Sequence, residues 1–255
     1  MSATVQACTI FVLTDTNRTL FCNNEDWSNP KTAIWFVPGG EGRYGCAYVG
    51  FTDGGPQGGV NTEGLACDWV AGYKGTREPD PKRKPARGNS VARMLETCAT
   101  VEQAIAFYEK TEEKGFLYAR ILVADRTGAS VIMRATEGRL QFDPMNQCRG
   151  FGAGGETVAR MLAQNPDPAV TNAAAILRAA RSEGQYATKY SNVFDLKSGD
   201  IFLFPLPDQK NMVKLSLKEE LKKSGHFYDL PRINEQLTQN PRPLTANIKR
   251  VNDFP

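Results

Sequence analysis

ACTIFVLTDTNRTLFCNNEDW, residues 7–27, decides how this chain is read. Residues 8–13 (CTIFVL) are a largely apolar, partly β-branched run that reads as a strand. Asp15-Thr16-Asn17-Arg18 has turn chemistry, and residues 19–22 (TLFC) return as the second arm of a hairpin. That arm leads into an acidic turn, Asn23-Asn24-Glu25-Asp26. A cysteine therefore heads the run, and carboxylates stand one hairpin later. Two readings of Cys8 follow: a buried thiol in an edge strand, or a nucleophile that becomes the first residue once residues 1–7 are removed.

Outward from this hairpin, residues 33–37 (AIWFV), 44–51 (YGCAYVGF) and 65–70 (LACDWV) read as further strands, with glycine-rich turns at 39–42 and 53–59. Residues 73–89 form a basic, proline-rich loop. Its six Lys and Arg are not interleaved with aromatic platforms, so it reads as a solvated loop and not as a nucleic-acid surface. A helix is expected at 90–98. Thr100-Val101-Glu102-Gln103 then has capping-box spacing ahead of an apolar stripe at Ala104, Ile105, Phe107 and Tyr108. Residues 119–124 and 130–134 flank the turn Asp125-Arg126-Thr127-Gly128, with a third strand at 139–142. Helices are expected at 156–163 and 172–183, the second stopped by Gly184. A hairpin at 190–196 and 200–205, a short strand at 212–215 and a charged helix at 216–223 complete the pattern. Helices lie between antiparallel hairpins, not after single strands, so the fold class is α+β layers and not a doubly wound parallel sheet. GFGAGG (150–155) lacks the Lys-Ser/Thr of a phosphate loop and follows no evident strand.

The 255 residues suffice for one large domain, expected over 8–233, with 1–7 as a propeptide or signal remnant and 234–255 as a polar tail. A net charge of +3 gives no argument for nucleic acid or an acidic membrane, and no run of about 18 apolar residues exists to span a bilayer. Six cysteines without a C-x-x-C pair and a single histidine, His226, argue against a zinc site and for free thiols over a disulfide framework. No metal or organic cofactor is implied. Val5-Gln6-Ala7 has the small residue favoured before a signal-peptidase cut, but the apolar region that should precede it is missing. Export and a cytoplasmic location therefore both stay open.

If Cys8 is a nucleophile it needs a base. His226, in SGHFYDLP after a charged helix, reads as a surface residue. The α-amino group of Cys8 itself qualifies once it is free, since its ordinary pKa of about 7.7–8.0 lies close to the thiol's at about 8.5. Asp26 is then placed to orient the ammonium.

These residues also carry a resemblance. ACTIFVLTD…LFCNNEDW, IWFVP, PQGGVNTEGLACD (56–68), TKYSNVFDLKSG (188–199) and LSLKEELKKSGHFYDLP (215–231) resemble, in order and over most of the chain, the linear amide C–N hydrolases. These form the choloylglycine hydrolase and penicillin V acylase branch of the N-terminal nucleophile hydrolases. The resemblance implies a four-layer αββα sandwich and hydrolysis of a small-molecule amide through an acyl-enzyme. It puts the nucleophile on Cys8, the orienting acid on Asp26 and a site-lining position on Asn24. Bile-salt-cleaving members carry an arginine where this chain has Asn23, which argues against bile salts. GGVNTEGLACDWVAG (58–72), with Asn61, Asp68 and Trp69, matches the segment that supplies an oxyanion donor, here a backbone N–H near 68–71. In MNQCRGFGAGGETVARML (145–162), Asn146 stands for a second site asparagine and Arg149 or Arg160 for a pocket arginine. The reading is an amidohydrolase for N-acyl compounds with an apolar acyl part, with no nucleic-acid or membrane partner; homo-oligomer formation stays open. An acyltransferase using the same acyl-enzyme, or an inactive binding protein on the same scaffold, are the alternatives.

Overall fold

The computed structural model describes residues 7–205, 211–239 and 241–244. Strands β1 (Thr9–Thr14), β2 (Thr19–Asp26), β3 (Thr32–Val37), β4 (Cys46–Phe51), β5 (Gly55–Asn61), β6 (Ala66–Ala71) and β7 (Lys84–Pro85) precede helices α1 (Ser90–Thr97) and α2 (Val101–Lys110). Then come β8 (Thr111–Glu112), β9 (Ala119–Ala124), β10 (Ser130–Thr136), β11 (Arg139–Met145) and β12 (Arg149–Gly152), followed by α3 (Gly155–Gln164) and α4 (Val170–Ala179). The chain closes with β13 (Thr188–Asp195), β14 (Asp200–Pro205), β15 (Val213–Ser216), α5 (Leu217–Glu220), β16 (His226–Asp229), α6 (Ile233–Gln236) and β17 (Arg242–Pro243).

Two antiparallel sheets dominate. One has six strands in the order β12-β1-β2-β13-β14-β15, the other nine in the order β11-β10-β9-β6-β5-β4-β3-β16-β17. The period of two along each strand sorts the side chains into three apolar layers. Ile10, Val12, Phe21 and Phe194 of the smaller sheet meet Ile34, Val49, Val70 and Leu122 of the larger one between the sheets. Phe11, Leu13, Leu20 and Cys22 point the other way, under α3 and α4. Trp35, Tyr48, Cys67 and Val123 likewise lie under α1 and α2. The result is the expected αββα sandwich. It explains why residues 10–13 and 33–36 are apolar at every position: both faces of each central strand are covered. Among the described residues no helix is long and apolar enough to cross a membrane.

The departures from the sequence reading have physical causes. Residues 23–26 continue β2 and are not a turn; all four are buried. The glycine-rich stretch at 53–59 contains most of β5. A Cβ on Gly59 would lie 2.3 Å from the Ala47 carbonyl oxygen, and one on Gly58 2.4 Å from the Asp68 carboxyl group, so glycine permits the strand where propensity reads a turn. Residues 149–152 form β12 on the edge of β1, so the 150–155 glycines do follow a strand. His226 is not on the surface. It is 2 % exposed on β16, with Nε2 2.8 Å from Glu220 Oε2 and Nδ1 2.8 Å from the Ser224 carbonyl oxygen. The helix expected at 216–223 is the four-residue α5, and the one expected at 172–183 ends at Ala179, before Gly184. The boundary drawn between 233 and 234 falls inside α6, whose Gln236 is buried and bonded to Asp229. The N-terminal segment 1–6 and the end of the tail, 245–255, lie outside the described residues. The capping-box signal at Thr100 is realised, since Thr100 Oγ1 accepts from the Gln103 N–H at 3.3 Å. The 73–89 loop is pinned by Arg77, which donates to the Thr111 and Tyr108 carbonyls, and by the Arg83–Glu112 pair at 2.8 Å.

Gly59→Ala is expected to lower unfolding stability by about 2–3 kcal/mol, because its Cβ meets backbone on a neighbouring strand and no flexible side chain can give way. Urea denaturation against the unsubstituted chain checks this.

Candidate active site

Cys8 sits at the mouth of β1, where the antiparallel pairing brings the far end of β2 alongside; Thr9 faces Asn24. It is 5 % exposed and holds φ +67, in the left-handed region that costs a non-glycine residue roughly 1–2 kcal/mol. Its neighbours fix that conformation. Ala153 N–H donates to the Cys8 carbonyl at 2.9 Å, and the Ala7 N–H reaches the Ala71 carbonyl at 3.3 Å. Gly152, at φ +116, lets β12 pass so close that a Cβ there would lie 2.3 Å from the Cys8 oxygen. Gly154 N–H donates to Thr9 Oγ1 at 2.8 Å. The glycines once comparable with a phosphate loop thus brace the residue that heads β1.

Two carboxyl groups from the end of β2 serve Cys8 from different sides. The Asp26 carboxylate accepts from Ser182 Oγ at 2.5 Å and Thr188 Oγ1 at 2.6 Å, and the Cys8 backbone N–H helps to stabilise its charge. Burial lifts Asp26 to about 6 against these interactions. The thiol lies 3.4 Å from Glu25 Oε1 and 3.9 Å from the Asp26 carbonyl oxygen. Burial, and then the charges of Glu25 and Asp26, push the Cys8 thiol well above its ordinary range.

Glu25 is the site residue that the reading of the sequence missed, and the signal was available. Once β2 runs through residue 26, the period of two puts Asn23 and Glu25 on the inter-sheet face with Phe21. There they join Asp68 and Tyr190. Asn23 Nδ2 donates to Asp68 Oδ2 at 3.0 Å and to Glu25 Oε2 at 3.4 Å, and Tyr190 Oη donates to Glu25 Oε2 at 3.3 Å. Burial raises Glu25 to about 7. Burial, reinforced by the charge of Glu25, raises Asp68 well above the usual carboxylate range. Gly58 leaves the space that the Asp68 carboxyl group occupies.

A cavity of about 540 Å³ opens over this floor, lined by Cys8, Glu25, Asp26, Trp27, Trp69 and Glu113 among others. Of the residues proposed from sequence, Cys8, Asp26, Asp68 and Trp69 come together here. The Trp69 N–H, a candidate oxyanion donor, is taken by Asp68 Oδ1 at 2.8 Å. Asn24 points to the helix side, bridging the Leu177 carbonyl at 2.8 Å and Ser191 Oγ at 2.6 Å. Asn61 clamps its own turn and the end of α1, donating to the Leu95 and Cys98 carbonyls at 2.7 Å each. Arg149 is paired with Asp143 at 3.0 Å and, with the exposed Asn146, lines a different cavity beside Thr14 at the opposite end of β1. Arg160 is exposed on α3. These four, Asn24, Asn61, Asn146 and Arg149, are not at the thiol. All six cysteines are free. Among the described residues no three His, Cys, Asp or Glu side chains are grouped to hold a metal ion.

No protein-family model and no curated protein matches this sequence. Solved structures do match the fold. Penicillin V acylase from Agrobacterium tumefaciens superposes with a TM-score of 0.66 at 15% identity, over 87% of this chain and 91% of its own. A cysteine-to-alanine variant of conjugated bile acid hydrolase from Clostridium perfringens gives 0.67 at 13%, over 87% and 96%. The Caenorhabditis elegans ortholog of N-acylethanolamine-hydrolyzing acid amidase gives 0.54 at 15%, over 88% and 100%. At these identities the likeness is one of architecture, and the architecture, two antiparallel sheets between helical layers with a cysteine at the mouth of the first strand, is the N-terminal nucleophile hydrolase fold.

Proposed function

We propose that this chain is a cysteine amidohydrolase that cleaves non-peptide linear amides, N-acyl compounds, through an acyl-enzyme on Cys8 after residues 1–7 are removed. One observation carries the reading. A single residue, Cys8, offers both its thiol and its backbone nitrogen at the floor of one cavity, the nitrogen against Asp26 and the thiol against Glu25. The fold it shares with penicillin V acylase, conjugated bile acid hydrolase and an acid amidase supports amide chemistry.

While Ala7 is attached, the Cys8 nitrogen is an amide without useful basicity. Freed, it is an amine with an ordinary pKa of about 7.7–8.0, tethered to its own nucleophile. It takes the thiol proton as sulfur attacks the amide carbonyl carbon and the C=O electrons move onto oxygen. Collapse of the tetrahedral intermediate breaks the C–N bond, and the ammonium passes its proton to the leaving nitrogen. The amine then takes a proton from water as the water oxygen attacks the thioester. The C–S bond breaks, sulfur regains the proton and the acid departs. Asp26, ionised above about pH 6, holds the ammonium between steps. The left-handed strain at Cys8, adjacent to the bond that must be cut, favours scission there.

Intact mass spectrometry tests the first step: loss of residues 1–7 in the wild type with retention in Cys8→Ala marks self-cleavage, loss in both marks an outside protease, and a stably intact, fully active chain overturns the mechanism. With an N-acyl amine as substrate, Cys8→Ala is expected to abolish turnover. Asp26→Asn is expected to lower kcat/KM by about 10²-fold or more, the scale of a lost proton-transfer arrangement.

The raised carboxyl groups predict a pH dependence of stability. Between the ordinary Glu value of 4.5 and about 7, folded Glu25 keeps a proton that the unfolded chain has released. Its contribution is therefore intact below about pH 4.5 and is lost as pH rises through 7, up to about 3 kcal/mol by pH 8. Glu25→Gln should match the wild type near pH 5 and exceed it by roughly 1–3 kcal/mol at pH 8, read from urea unfolding at the two pH values.

A further inference from the structure

The cavity over Cys8 has acids and aromatic rings in its lining and no base. Glu25, Asp26, Asp53 and Glu113 line it; among the described residues no Lys, Arg or His does. This is opposite to the chain as a whole, which has 31 Lys and Arg against 28 Asp and Glu. The cations that act on these acids do so without lining the cavity: Lys31 lies 3.8 Å from Asp53, Arg77 acts on Glu113, and Lys189 on Asp26. Arg77 is held by two backbone carbonyls, so it cannot swing in without losing both bonds.

The walls agree with the floor. Trp27 is 42 % exposed and Tyr118 62 %, two large rings left in water at the cavity lining, and Trp69 stands beside them on Phe116 at 4.9 Å. Behind the lining, and not part of it, Asn23 donates its amide nitrogen to Glu25 and Asp68. The lining is therefore rich in carboxyl groups and electron-rich ring faces. Such a lining attracts a cation that donates hydrogen bonds, and repels a carboxylate. From this lining we infer that the substrate is an amide bearing a protonated amino group, seated between the Glu25 and Glu113 carboxyl groups and the rings of Trp27 and Trp69. The inference rests on the amidohydrolase reading and narrows its substrate class.

Two measurements separate the inference from the reading beneath it. The first is labelling of Cys8, followed by peptide mass spectrometry, with aminoethyl and sulfonatoethyl methanethiosulfonate, each rate divided by that of the reagent with a free thiol. A cationic-to-anionic ratio of at least tenfold is expected, shrinking at least threefold in Glu113→Gln and partly restored in Glu113→Asp. A ratio near one, or an anionic preference, overturns the inference. The second is kcat/KM for two sets of amides. One set joins phenylacetate to 1,4-diaminobutane, butylamine or 4-aminobutyrate. The other joins butylamine to 4-aminomethyl-, unsubstituted or 4-carboxy-phenylacetate. The cationic member should lead its neutral partner by at least tenfold in one set. Hydrolysis without that preference overturns the substrate class and leaves the hydrolase standing. Cationic labelling preference with no hydrolysis of any amide overturns the hydrolase and leaves a cation-binding cavity.

Discussion

The structure depends on how a carboxylate at the end of one strand is held against the nitrogen at the start of another. Asp26 is clamped by Ser182 and Thr188, at 2.5 and 2.6 Å, and the Cys8 backbone N–H helps to stabilise its charge. Ser182 follows α4, Thr188 opens β13 and Asp26 closes β2, so the clamp ties the segment between α4 and β13, and the end of β2, to the head of β1. Burial works against the charge, and the two hydroxyls and the Cys8 N–H work for it. The balance leaves an acid that is still ionised at neutral pH, which a group meant to hold an ammonium requires.

Around that clamp the sandwich sorts polarity by position. The inter-sheet layer is apolar through most of its depth and becomes a carboxyl-and-amide cluster at the Cys8 end, where Asn23, Glu25, Asp68 and Tyr190 replace the aliphatic residues further in. Such a cluster is costly to bury, and its members answer the cost by sharing hydrogen bonds and by keeping protons: burial raises Glu25, and burial together with the charge of Glu25 raises Asp68.

The layers were legible because the apolar runs were. Residues 8–13 and 33–37 read as strands and are strands, and the capping signal at Thr100 marked a real helix start. Two kinds of information were hidden. Glycines at 55, 58 and 59 look like a turn, and only the positions of Ala47 and Asp68 show why a strand needs them. Residues 23–26 are as polar as a loop, and their strand character appears only once β13 is seen paired alongside. Of the site, Cys8 and Asp26 could be named from sequence; Glu25 required the register of β2, and the positions offered at 24, 61, 146 and 149 proved to face helices, turns or another cavity.

The groups that would do chemistry stand on the sheets, and the groups that would choose the substrate are shared between the sheets, through Glu25 and Trp69, and the connections. Cys8, Glu25, Asp26 and Asp68 stand on or beside strands locked into the sheets, whereas Trp27, Asp53, Glu113 and Tyr118 occupy the connections between them. Connections tolerate replacement far better than paired strands do. The part of recognition carried by the connections can therefore be rewritten through a few linking residues, while the part carried by Glu25 and Trp69 is tied to the sheets.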